Sequence, residues 1–170
     1  MVFQILPVKN KELFLRYAVP CGEVLVKRGE LRRELLQKLH DSVMHRQDIN
    51  LPVERFFPVA SRMCTVLAIK MGKKTIDDEV IRRYFLIEHE KAIIWRRQVK
   101  PDIDIRDCRV YPGRVIEVYS GKALVKTPMG EVMLRTDFVE NLKPGDWITK
   151  HYDYAIEKIK TSYLNRMLRR

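Results

Sequence analysis

The sequence predicts an α+β protein: an N-terminal all-α domain followed by a small β-barrel that carries a C-terminal helix. Up to about residue 98, apolar residues recur at helical spacing. Beyond residue 108 they alternate, and turn signals return every 8–12 residues or so, the rhythm of a small barrel or strongly curled sheet. Between these regions, VKPDIDIRD has no apolar stripe and contains Pro101 and three Asp. The expected division is therefore a helical domain at 1–98, a linker at 99–107 and a barrel domain at 108–170.

In the first half, Asn10 and Glu12 can open a helix carrying Leu13, Phe14, Tyr17 and Ala18. Pro20 interrupts it, because proline lacks an N–H and clashes one turn back. A second piece, 21–27, stops near Gly29. The stretch 30–45 is the cleanest helix, with Leu31, Leu35, Leu39 and Val43 four apart, flanked by Leu36 and Met44. Pro58 suits the first turn of the next helix, which carries Val59, Met63, Val66, Leu67 and Met71 and ends at Gly72. Thr75-Ile-Asp-Asp78 reads as a cap with first-turn acids. It opens a long helix with Val80, Ile81, Tyr84, Ile87, Ile94 and Trp95 on its apolar side. In the second half, strands are expected at 114–119, 122–127, 131–135 and 147–151. They are separated by Ser120-Gly121, Pro128-Met129-Gly130 and Lys143-Pro144-Gly145-Asp146. Ser162 to Arg170 form a short basic helix packed through Tyr163, Leu164 and Met167.

With 170 residues, 46% apolar and 32% charged, the chain is globular, and only 7 Gly and 8 Pro exclude a low-complexity or collagen-like one. No apolar run reaches the length of a membrane span, and the first residues lack a secretory signal. Three widely spread cysteines, Cys21, Cys64 and Cys108, exclude a disulfide framework and a Cys-rich zinc site, so a reducing cytoplasm is expected. The net charge of +11 is uneven: +6 over residues 1–107, zero over 108–157 and +5 over 158–170. A basic chain tends to meet anionic partners. Abundant Lys, Arg and Glu with few Asn and Gln also suits a thermophile's ion-paired surface.

No phosphate-cradling loop, HExxH or GxSxG motif is present. Two features of the barrel half carry chemistry. Cys108-Arg-Val-Tyr-Pro112-Gly113 stands at its entrance, with the sulfur expected at an exposed edge beside a Pro-Gly turn, and His151 ends the strand after Pro-Gly-Asp. A thiolate is a soft ligand for iron, copper or zinc and an imidazole a borderline one, so two neighbouring strands would make a half-filled metal site of them. The plainer alternative is a small buried Cys and a hydrogen-bonded His.

The span from Cys108 to about Ile159 resembles the HypC/HupF/HybG hydrogenase maturation chaperones. The residues that carry the likeness are CRVYPGRVIEVYSGKALV at 108–125 and VENLKPGDWITKHYDYAIEKI at 139–159. The resemblance implies an OB-like barrel with a C-terminal helix and a non-catalytic role in assembling the iron centre of nickel–iron hydrogenase. By the same resemblance Cys108 carries or hands over iron bearing cyanide and carbon monoxide, and His151 orients or ligates it. Docking to a HypD-type scaffold and to the hydrogenase large-subunit precursor falls on Cys108, Pro112, Gly113 and Tyr154. The chain departs from that pattern in three places. Residues 1–107 precede the Cys, Arg109 replaces an apolar residue, and Asp153-Tyr154 replaces Gly-Phe.

No family is recognisable in residues 1–98. Cys64 lies in an apolar face and reads as core, while Cys21 beside Gly22 has room for a ligand or another backbone. His40 and His45 read as surface residues, and His89, between Glu88 and Glu90, as part of a solvated cluster. Basic doublets at Arg32-Arg33, Lys73-Lys74, Arg82-Arg83 and Arg96-Arg97 could line a nucleic-acid groove, here RNA, which makes a binding adaptor the competing function. Interleaved acids argue for paired surface charge instead. An enzyme would need Cys108 and His151 as nucleophile and base.

Overall fold

Asn10 opens the first helix: its Oδ1 accepts from the Leu13 N–H at 3.0 Å, satisfying one of the amides a helix start leaves unpaired. The computed structural model, in which this is seen, describes residues 3–99 and 104–169. The chain divides into two units, Met1–Glu88 and His89–Arg170.

In the first unit, α1 (Lys11–Ala18) gives way at Pro20 to a tight 3₁₀ turn, Val19–Cys21, before α2 (Gly22–Lys27) resumes. Helix α3 (Arg33–Met44) buries Leu36, Leu39, His40 and Val43, while Met44 is exposed. His40 is thus a buried residue, not the surface one expected; only His45 faces solvent. Helix α4 (Pro58–Lys70) starts with proline at its first turn, but its buried face is Ser61, Cys64, Thr65 and Ala68. Met63 and Val66, expected inside, are exposed. Apolar residues surround this helix, so spacing alone picks no single face. The Leu6 N–H donates to Thr65 Oγ1 at 3.0 Å, which draws the polar side inward.

The next cap is Asp77, not Thr75: its Oδ1 accepts from the Val80 N–H at 3.0 Å and α5 (Asp78–Arg83) follows. A π-helical stretch, Tyr84–Glu88, then breaks what the sequence suggests is one long helix. The core of this unit is aromatic. Tyr17 stacks on Phe85 with centroids 5.0 Å apart, and Phe14 meets Phe57 and Phe85 edge-on at 6.2 Å each.

The second unit begins with α6 (His89–Val99), on which Ile94 and Trp95, expected on an apolar side, are exposed. Of the expected linker, residues 100–103 lie outside the described residues; Ile105–Cys108 forms a one-turn helix, α7. Five strands follow: β1 (Tyr111–Tyr119), β2 (Lys122–Thr127), β3 (Gly130–Arg135), β4 (Trp147–His151) and β5 (Tyr154–Lys158). They close in the order β1-β2-β3-β5-β4, with β1 antiparallel to both β2 and β4. The fold is therefore α+β, with helices before a closed OB-like barrel and α8 (Thr161–Leu168) after it.

Inward-facing Val115, Ala123, Val125, Leu134, Ile148 and Ala155 fill the barrel, following the period-2 alternation of its strands. Strand β1 starts earlier than its alternation suggests. Pro112 and Gly113 are not a turn but buried strand residues opposite Thr149 and Ile148. Proline is tolerated near the start of a strand, where one missing donor does little harm. Strand β5 escapes sequence reading because only Tyr152 and Asp153 separate it from β4, with no Gly, Pro or Asn to mark a turn. Tyr152 makes the reversal itself by adopting φ 51°.

Candidate metal centre

Cys108 ends α7 and His151 ends β4. The ladder between β1 and β4 brings them together: Tyr111 pairs with Lys150, three residues after the cysteine and one before the histidine. The two strands are thus the neighbours that a shared site requires. A register shift between Thr149 and Lys150 adds a bulge to the β4–β5 ladder just ahead of His151, a device that re-aims nearby side chains.

A third donor joins them from α6. Ligand atoms of His89, Cys108 and His151 all lie within 4.8 Å of one another. Cys108 Sγ is 3.6 Å from His89 Nε2. The two imidazole rings stand at 89° with centroids 5.4 Å apart. Relative exposures are 7% for His89, 5% for Cys108 and 0% for His151, so the sulfur expected at an exposed edge is buried. The correction for His89 is larger, because it is no part of a solvated cluster. A signal for this does exist in the sequence: Ala92 and Ile93, three and four residues on, share its helical face and are buried.

Arg109, one of the departures noted above, has a structural role. Its Nη1 pairs with Glu90 Oε1 at 3.2 Å, tying the residue after Cys108 to the residue after His89. Its guanidinium also lies 5.3 Å from the centroid of the Tyr111 ring. Lys150, beside His151, has its pKa pulled down by burial, against the opposing pull of Asp107 and Asp153.

Other predicted positions fall elsewhere. Tyr154 stacks on Phe138 at 5.0 Å and lies under the Arg135 guanidinium. Cys64 is fully buried in the first unit, and burial pushes its thiol pKa well up, as expected of a core cysteine. Among the basic doublets, Arg33 is paired with Glu23, Lys73 with Asp77 and Glu79, and Arg82 with Asp78. Arg32 and Lys74 are exposed and Arg83 and Arg96 half-buried; the side chain of Arg97 lies outside the described residues. Among the described residues, no helix is long and apolar enough to cross a membrane.

No curated protein matches the chain. A family model does match, that of the HupF/HypC family, over residues 108–169, beginning at Cys108; the N-terminal region matches none. Members of that family are hydrogenase maturation chaperones rather than catalysts, and the match gives no support to the nucleic-acid alternative. The C-terminal part of this chain, from the buried cysteine through the closed barrel to α8, is thus similar to the HupF/HypC family.

Proposed function

We propose that this protein is a non-catalytic assembly chaperone for hydrogenase maturation, in which Cys108 with His151 handles an iron cargo. The observation that supports this reading is the convergence of a thiol and an imidazole where the family-matched span begins. The donor set suits the cargo, because thiolate and imidazole both bind ferrous iron. Metal binding also draws the proton from a coordinating thiol, so a buried cysteine need not ionise unaided.

Pro112 and Gly113 are buried in β1, so their part is to set the path of the chain between Cys108 and the barrel. Docking of a HypD-type scaffold and of the large-subunit precursor falls to exposed surface around them. Because Cys108 is 5% exposed, cargo is held and then released rather than displayed.

Protein isolated anaerobically from its native cell should carry iron with infrared bands from bound diatomic ligands, and Cys108→Ala should remove them. Bands that survive the substitution would end the carrier role. The same preparation should retain a scaffold or hydrogenase subunit; recovery of ribosomal or RNA-bound material alone would favour the nucleic-acid reading.

A further inference from the structure

We propose that His89 is a third protein ligand, which adds a second imidazole to Cys108 and His151 in holding one first-row divalent cation of borderline softness, zinc or ferrous iron. The proposal builds on the reading of Cys108 and His151 as a metal-handling pair. It adds a ligand from outside the matched span, since His89 lies in α6 and the match starts at Cys108.

The spacing carries the inference. With metal–sulfur bonds of about 2.3 Å and metal–nitrogen bonds of about 2.0–2.1 Å, a sulfur and a nitrogen donor of a tetrahedral site sit roughly 3.5–3.6 Å apart and two nitrogens roughly 3.3–3.4 Å. Cys108 Sγ and His89 Nε2 are 3.6 Å apart, and the His151 donor is within 4.8 Å of both. The three come from three separate stretches of chain, the start of α6, the end of α7 and the end of β4. The Glu90–Arg109 ion pair holds the first two stretches in register, as an outer support for ligands does.

The test uses the full chain, stripped of metal by a chelator under argon and titrated with Co²⁺ and, in competition, Zn²⁺. One Co²⁺ per chain is expected, with sulfur-to-cobalt charge-transfer absorption in the near ultraviolet. His89→Ala should weaken binding at least about tenfold, the scale of loss when a metal site is disturbed. His89→Cys, which restores a donor, should recover affinity and strengthen the charge-transfer band; if the alanine variant does not fold, this band decides. Undiminished binding by folded His89→Ala, an unstrengthened band in His89→Cys, or no metal bound by the parent protein would each overturn the ligand and leave an S–H···N hydrogen bond in its place. Cobalt binding that depends on His89, in a protein lacking the infrared bands, would instead uphold the ligand while the cargo reading fell.

Discussion

Gly113 shows how closely the barrel is packed behind the candidate site. A Cβ placed on it would lie 2.4 Å from Val125 Cγ1 and 3.5 Å from both Ile148 Cδ1 and the Lys126 carbonyl oxygen. Gly113→Ala is therefore expected to cost about 1–3 kcal/mol, the usual penalty for overfilling a packed core, measured by denaturant unfolding. A cost near zero would mean that β1 can move away from β2. The site itself was only partly legible in the sequence. Cys108 and His151 stood out through motif context, whereas His89 was hidden by its acidic neighbours. Glu90 turns out to pair with Arg109, so the charge that suggested solvent is in fact the tie that places the histidine.

Helix α5 shows what one side chain does for an element. Asp77 caps its first turn, and its carboxylate also meets Lys73 Nζ at 2.6 Å. Burial alone would raise the Asp77 pKa, but the Lys73 ammonium and the Val80 N–H outweigh it and hold the group below the ordinary carboxylate range. A lowered folded-state pKa contributes stability that is complete above the unfolded value of about 3.9 and is lost as pH falls through the folded one. Asp77→Ala is expected to cost about 1 kcal/mol at neutral pH. Asp77→Asn, which keeps an acceptor but no charge, should cost less and flatten the acid limb of the stability profile; an unchanged acid limb would remove Asp77 from the pH response. Element boundaries followed the turn chemistry of the sequence at Pro20, Pro58 and Gly121, but not at Pro112-Gly113, which continue a strand. They departed from it at β5 and at the π-helical stretch, where main-chain hydrogen bonding rather than side-chain type decides.

Across the whole molecule, fold class was readable because the switch from helical to alternating spacing is a change of period, which composition cannot mask. Function was less readable, since a net charge of +11 suits many anionic partners. The ion pairs at Arg33, Lys73 and Arg82 do not change that net charge, but they hold these basic side chains against acids of the same chain rather than leaving them to an anionic partner. The protein is therefore expected to bind an anionic column such as heparin at low ionic strength and to elute early as salt rises, with no preference for RNA over heparin. Retention by RNA well beyond that by heparin would reopen the nucleic-acid reading. Barrel closure has one further outcome. Strands β3 and β5 join through a single parallel pair, Arg135 with Tyr154, and the Arg135 guanidinium reinforces it by donating to the Tyr154 hydroxyl at 2.8 Å. Every other seam is a longer antiparallel ladder, so along most of its length β3 has a strand partner only in β2, and the β3–β5 seam is the place where an extended segment would find main chain to pair with.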